Sequence, residues 1–431
     1  MNELLAWKRR KERKPLILKG VRQCGKTYLL NEFGAKHYED VAYFNFEANP
    51  ALAERFEQDL DPKRLIMELG VLTNRRIRPG ATLLIFDEIQ FCPKALTSLK
   101  YFQEQASEYH VVSAGSLLGI TLSRPSSFPV GKVDFLTLRP MSFCEFVLAH
   151  EESLLLEYIE NLEVSTPVPQ VFADKLLTLL KTYFVTGGMP EAVAKWIDSQ
   201  DAAEVEKIQD VILGSYELDF AKHAPAADFP KLSLIWKSIP DQLAKESGKF
   251  VYGHAKPGAR AKDMEDALQW LIGSGMVYKV SKIEKPAIPL SAYANINFFK
   301  LYMSDIGLLR RMARLPALTI FEESVLYAEF KGALTENYVL NELINLHGNV
   351  PFYWKSGNTA EVDFVAQFAK KIIPVEVKAT VNVKARSLGI YREKYKPIIA
   401  VRTSMLNLKK DNGLLNLPLY IFWIIERLIS K

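Results

Sequence analysis

The stretch 20-GVRQCGKT-27 decides the fold of the first third of the chain. It matches G-x-x-x-x-G-K-[ST] at every fixed position. The apolar run 16-LILKG-20 precedes it and the helical run 27-TYLLNEFGAK-36 follows it. A strand, a tight loop and a helix are therefore expected here. The chemistry explains the spacing. Gly20 and Gly25 let the backbone curl so that successive N–H groups face one phosphate. The helix N-terminus adds the positive end of its dipole. Residues Gly20, Val21, Arg22, Gln23, Cys24, Gly25, Lys26, Thr27 and Tyr28 are thus expected to wrap the phosphates of ATP. Lys26 would reach the β- and γ-phosphates, and the Thr27 hydroxyl would hold Mg²⁺.

A phosphate loop alone binds; hydrolysis needs a second, acidic site. The run 82-TLLIFDEIQ-90 supplies one, an apolar strand ending in Asp87-Glu88. Asp87 is expected to hold Mg²⁺, mostly through water, and Glu88 to orient or deprotonate the attacking water. The next apolar run, 110-HVVSAGS-116, should lie beside the strand that carries the loop. Ser116 would then sense the γ-phosphate, with Ser113 as the alternative. Arg124 and Arg139 are candidates for an arginine acting in trans. Cys24 sits inside the loop and reads as a tolerated small residue.

Working outward, residues 1 to about 145 alternate short apolar runs (16–20, 41–46, 82–88, 110–116) with helical patterns, as in a parallel sheet covered on both faces. The segment 122–143, rich in Pro, Ser and Gly, reads as a long loop and a short hairpin. Residues 145 to about 225 read as helices with a break at Gly187-Gly188. From 229 to 283 the pattern is three helices and a strand, the closing pattern of a winged helix. From 298 the pattern returns to α/β. A helix is expected near 332–347, and strands over 351–356, 361–368, 372–379 and 397–403. The tail 417-LPLYIFWIIERLI-429 reads as a strand and helix that close a core.

Composition sets the limits. The chain has 431 residues, 48% hydrophobic and 24% charged, with a net charge of +5. That balance permits nucleic acid as a partner without demanding it. The run Lys8-Arg9-Arg10-Lys11 reads as the solvated face of a first helix. Three scattered cysteines (Cys24, Cys92, Cys144) suggest neither disulfides nor zinc and fit a reducing cytoplasm. No segment reads as a membrane span. His110, His223 and His254 lack ligand spacing. Tyr353 and Trp354 beside Lys355 read as core aromatics, with base stacking as the alternative.

Taken in order, GVRQCGKT, LLIFDEIQ, VVSAGS, PVGKVDFLTLRPMSFCEF, KLYMSDIGLL and EVDFV…IPVEVKA resemble a widespread bacterial and archaeal family. Its members pair an N-terminal AAA+ P-loop ATPase with a C-terminal domain of unknown function. The resemblance implies an AAA+ ATPase domain over 1–145 and a helical domain over 146–225. A winged-helix-like domain would follow over 226–297, and a restriction-endonuclease-like α/β domain over 298–431. The chain departs from the family at Gly131-Lys132, where the loop usually reads Gly-Arg; a lysine lacks the bidentate fork.

The restriction-endonuclease resemblance gives the late carboxylates a meaning. In 361-EVDFVAQFAKKIIPVEVKAT-380, Asp363 and Glu376 would share Mg²⁺, with Lys378 acting on the attacking water. Glu336, on the helix before, would complete the set. Glu376 and Lys378 are two apart on a strand and so face the same way, as do Glu361 and Asp363. The bland alternative is a charged strand pair with salt-bridged Glu and Lys. Three readings follow: an ATP-driven protein acting on DNA, an ATP-dependent switch or scaffold, and an ATP-gated nuclease. ATP and Mg²⁺ are common to the ATPase reading; DNA and further copies of the chain remain open as partners.

Overall fold

The computed structural model describes residues 1–116, 129–245, 248–322, 328–357, 360–380 and 386–430. The chain divides into two units. One is Met1–Arg139 with Gly273–Gly275, the other Pro140–Ile272 with Met276–Lys431.

The first unit holds β1 (Leu16–Lys19), β2 (Asp40–Asn45), β3 (Thr82–Asp87), β4 (His110–Gly115) and β5 (Asp134–Thr137). Their order is β2-β3-β4-β1-β5, and every pair is parallel. The period of two divides each central strand between two cores. Leu16, Leu18, Leu83, Ile85, Val112 and Ala114 point to one, with Leu30 and Phe33. Ile17, Leu84, Phe86 and Val111 point to the other, with Leu65, Leu99 and Phe102. Strands buried on both faces read as unbroken apolar runs, which is why they stand out in the sequence.

As expected, β4 lies beside β1, with Leu16 opposite Val112 and Lys19 opposite Gly115. The hairpin expected within 122–143 is not what 134–137 form, because β5 runs parallel to β1. Residues 122–128 of that stretch, with Arg124, lie outside the described residues. The basic run ends the helix Asn2–Arg9, whose Leu4 and Trp7 are buried. Trp7 Nε1 donates to Lys14 O at 2.8 Å. His110 is structural: its Nδ1 meets Tyr38 Oη at 2.7 Å.

The second unit begins with helices, among them Gln170–Thr186, Pro190–Ser199 and Ala202–His223. The Gly187-Gly188 break is built around Asp305. Asp305 Oδ1 caps the helix Ile306–Met312 through Leu308 N at 2.8 Å, and Oδ2 accepts from Gly188 N at 2.6 Å. A Cβ on Gly187 (φ +69°) would stand 2.2 Å from Asp305 Oδ1, so only glycine fits there. One turn later the buried Arg310 ties three segments together. It donates to Glu206 Oε1 (2.8 Å), Gln209 Oε1 (2.8 Å), Leu315 O (2.6 Å) and Val185 O (3.3 Å).

The sheet of this unit has eight strands: β6 (Val277–Ile283), β7 (Ala294–Met303), β8 (Phe352–Ser356), β9 (Ala360–Phe368), β10 (Lys371–Val377), β11 (Ala400–Ser404), β12 (Lys409–Asp411) and β13 (Leu414–Pro418). Their order is β12-β13-β11-β10-β9-β8-β6-β7. The strand that closes the winged-helix pattern, β6, pairs with β7 at the edge of this sheet and runs parallel beside β8. A division at 297 falls inside β7. Val277, Val280 and Ile283 of β6 are buried, and a projecting hairpin would leave them in water. Joining β8 pairs the end of β6, with Ile283 opposite Trp354, and both are buried in one core. Tyr353 and Trp354 are buried, and Trp354 Nε1 donates to Tyr395 Oη at 3.2 Å. Among the described residues no helix is long and apolar enough to cross a membrane.

Candidate active site

The loop after β1 is shaped by left-handed residues at two points, Gln23 (φ 63°) and Gly25 (φ 91°). Gly20 is required for a different reason: a Cβ there would meet Leu138 O at 2.2 Å. The helix Lys26–His37 starts directly from the loop. Its first N–H groups and those of the loop therefore converge where an anion would lie. Lys26 is buried, its Nζ donating to Gly20 O (2.9 Å) and Val21 O (2.7 Å). The ammonium is held across the loop by the loop's own carbonyls. The Cys24 thiol is buried, and burial pushes its pKa up. A thiol kept protonated is a poor nucleophile, which supports its reading as a space-filler.

Across the sheet, Thr27 Oγ1 donates to Asp87 Oδ2 at 2.8 Å. Asp87 is 2% exposed. Its second oxygen accepts from Glu88 N at 3.0 Å. Tyr43 Oη also donates to Asp87 Oδ2, at 2.6 Å, and Asn45 Nδ2 donates to Tyr43 Oη at 3.2 Å. Burial and the Asp87 hydrogen bond push the Tyr43 phenol up to about 12, so it stays a donor. Glu88 turns through a left-handed backbone (φ 49°). Burial pushes its carboxyl up against the opposing Gln90 hydrogen bond, and Asp87 adds to the rise. A carboxyl raised towards neutrality is suited to accepting a proton. Ser113 is taken up by β1, its Oγ donating to Leu16 O at 3.2 Å. Ser116 is buried just past the end of β4. Lys132 pairs with Glu104 at 2.9 Å on the surface. The hydroxyl and carboxylate oxygens of Thr27 and Asp87 are hard donors that suit Mg²⁺, which keeps several waters and needs only one or two protein ligands.

The second unit gathers the late carboxylates. Asp363 (β9) accepts from Val377 N at 2.7 Å through Oδ2. Glu376 (β10) pairs through Oε1 with Lys378 Nζ at 2.7 Å. Glu336 Oε2, from the helix Ala328–His347, accepts from Tyr302 Oη at 2.8 Å. Into the same cluster β7 sends Lys300, 2% exposed. Its Nζ lies 2.7 Å from Glu361 Oε1 and 3.4 Å from Glu336 Oε2. Lys355 of β8 holds the other Glu361 oxygen at 3.0 Å.

The electrostatics sort these acids. Burial alone would pull the Lys300 ammonium down, but Glu336, Tyr302, Glu361 and Asp363 outweigh it and hold the pKa well above its usual value. Burial would likewise raise Glu361, but Lys300 and Lys355 bring it below the ordinary range. Burial, then the charges of Glu336 and Glu376, push Asp363 well above the ordinary carboxylate range. Burial raises Glu376 too, against Lys378. The cluster is therefore short of positive charge at the Asp363–Glu376 side. There Glu376, 3% exposed, leaves Oε2 buried without a hydrogen-bond partner. Among the described residues, no three or more His, Cys, Asp or Glu side chains form a ready-made metal cage.

Residues 12–147 match the family model of an AAA domain. That span covers the loop, both acidic residues and all five strands of the first sheet. Residues 177–319 match a domain of unknown function, DUF8612, and residues 331–422 another, DUF4143. Among solved structures, a Walker-type ATPase of Pyrococcus abyssi is 14% identical, with 70% of this chain and 92% of that one covered and a TM-score of 0.44. Cdc6p of Pyrobaculum aerophilum is also 14% identical, with 74% and 91% covered and a TM-score of 0.24. No curated protein matches the chain.

The structure thus brings Lys26, Thr27, Asp87 and Glu88 to one end of the first sheet, and Glu336, Asp363, Glu376 and Lys378 together in the second unit. Sequence reasoning missed Tyr43 and Asn45, whose strand carries no fixed pattern. It also missed Lys300. A signal was there: a lysine inside the apolar run 298-FFKLYM-303 is as out of place as the acids of 361–376.

Proposed function

We propose that the first unit binds ATP with Mg²⁺ and hydrolyses it, and that the second unit acts on nucleic acid. The first part is carried by one observation, the 2.8 Å hydrogen bond between Thr27 Oγ1 and Asp87 Oδ2. It joins the phosphate loop to the acidic strand at the place where ATP-bound Mg²⁺ would be held by those two residues. The ion would neutralise charge on the β- and γ-phosphates. The loop N–H groups and Lys26 bind and orient the phosphates. Tyr43 fixes the rotamer of Asp87. Glu88 takes the proton of the attacking water, and Ser116 reads the γ-phosphate from the end of β4. The AAA-domain match over 12–147 supports this reading.

The test separates binding from turnover. Glu88→Gln is expected to keep ATP affinity while hydrolysis falls by about a hundredfold or more. Unaltered turnover in that variant would remove Glu88 from the mechanism. An ATPase rate that rises with added DNA would favour action on nucleic acid over a switch or scaffold.

Nuclease chemistry is a second reading, favoured by the orphaned Glu376 Oε2. Support comes also from the order helix, three strands, helix, strand over 328–404, which agrees with a restriction-endonuclease-like core. The oxygens of Asp363 and Glu376 are of the kind Mg²⁺ takes, and the ion would supply the missing positive charge. Lys378 holds Glu376 in place and would orient the water. Mn²⁺ binding by calorimetry is expected to show one site beyond the nucleotide site, lost in Glu376→Gln. Metal-dependent cleavage of DNA should disappear in the same variant. Retention of the second Mn²⁺ site in Glu376→Gln would sink this assignment.

A further inference from the structure

Strand β7 departs from β6 at one place. Ser281 stands opposite Phe299 and Lys282 opposite Asn295, so Ile296, Asn297 and Phe298 are looped out between them. The three face water, with Ile296 69% and Phe298 39% exposed. A bulge re-aims side chains, and bulges recur beside functional sites. An apolar residue and an aromatic pushed into solvent at a sheet edge call for a partner.

The surroundings say what kind of partner. Lys249 Nζ lies 4.0 Å and Lys282 Nζ 5.5 Å from the centre of the Phe298 ring. Lys285 Nζ lies 6.0 Å from the Tyr293 ring. Between 248 and 300 the sequence has eight Lys and Arg against four Asp and Glu, a net +4 of the chain's +5. Residues 1–14 carry an equal net +4, so this is one of two basic stretches of the chain. Two residues beyond the bulge the same strand carries Lys300 into the carboxylate cluster, and Tyr302 follows.

We propose that the Ile296–Phe298 bulge, with Lys249, Lys282 and Lys285, is a contact for single-stranded nucleic acid that leads the strand toward the carboxylate cluster. The proposal rests on the nucleic-acid reading of the second unit. Phosphates would meet Lys249 and Lys285, Lys282 being paired with Glu284 at 3.1 Å, and one base would stack on Phe298. Stacking on a side chain requires a base with a free face, which a single strand offers and a duplex does not.

The experiment uses the full chain and fluorescent oligonucleotides, a dT20 strand and a 20-base-pair duplex, read by anisotropy across a salt series. Wild-type protein is expected to bind the single strand more tightly. Phe298→Ala should weaken single-strand binding by about tenfold and leave the salt slope unchanged. The double variant Lys249→Ala/Lys285→Ala should lower the slope for the single strand by about 1.4, at about 0.7 per phosphate contact. Phe298 and Lys285 are exposed and Lys249 is half-buried, and unchanged circular dichroism and DNA-free ATPase rate serve as controls. Wild-type binding that both variants retain would overturn the surface while leaving the nucleic-acid reading intact. Wild-type protein that binds neither oligonucleotide would overturn both. If Phe298→Ala instead breaks up a self-associated chain and keeps its oligonucleotide affinity, the bulge is a contact between copies and the proposal falls.

Discussion

Lys26→Ala is expected to lower ATP affinity by about 2–5 kcal/mol, the range for removing one partner of a desolvated charge pair. Turnover should fall with it, by about a thousandfold at saturating ATP. The size of the effect follows from position. The Lys26 ammonium is buried and held by Gly20 O and Val21 O. It is thus a fixed charge inside the loop, where water screens it little. Alanine would leave the two carbonyls facing the phosphates with no cation between them. Lys26→Arg should recover little, because the planar fork does not fit a slot built for a point charge. Isothermal titration with ATP and a steady-state ATPase assay, beside a thermal melt to verify folding, read the result. Hydrolysis within about threefold of wild type in Lys26→Ala would place nucleotide chemistry elsewhere.

Arg310→Met is expected to destabilise the second unit by about 3–5 kcal/mol, as when one partner is removed from a buried ion pair. Arg310 is fully buried and bonded to Glu206, Gln209, Val185 O and Leu315 O. Methionine fills much of the volume but takes the donor from Glu206 Oε1, Gln209 Oε1 and Leu315 O, while Val185 O keeps Gln209 Nε2 at 2.8 Å. Pairing it with Glu206→Met should return part of the loss, since removing both charges spares the uncompensated one. Denaturant unfolding followed by circular dichroism measures both. A midpoint unmoved by Arg310→Met would show that the arginine only decorates the joint. The proposed ATP site lies in the first unit, so nucleotide affinity is a useful second readout.

Much of the first unit was legible in the sequence because its physics is local. A phosphate loop needs glycines, a lysine and a hydroxyl at set intervals, and strands buried on both faces need unbroken apolar runs. Asp87 and Glu88 were legible for the same reason, as acids ending such a run. Tyr43 was not, since it reaches Asp87 only through the β2–β3 register, Asn45 opposite Asp87. The second unit was read less well where pairing is long-range. The strand over 277–283 read as the close of a local helix-and-strand pattern because nothing near it announces a neighbour some seventy residues further on. Lys300 stayed hidden behind the same misreading, because its meaning depends on Glu336 and Glu361. The acids themselves were found, since charges on apolar strands always need an explanation.

Lys282 stands opposite Tyr353, and Ile283 opposite Trp354, in the parallel ladder that joins β6 to β8. A fragment starting at 298 would keep half of β7, none of β6, and a bare row of amides and carbonyls along β8. Such a row invites strands from other molecules. The shortest piece that preserves the sheet therefore begins ahead of Val277. The two domains of unknown function, matched separately over 177–319 and 331–422, share one sheet. Each therefore borrows a neighbouring strand from the other, through the β6–β8 pairing.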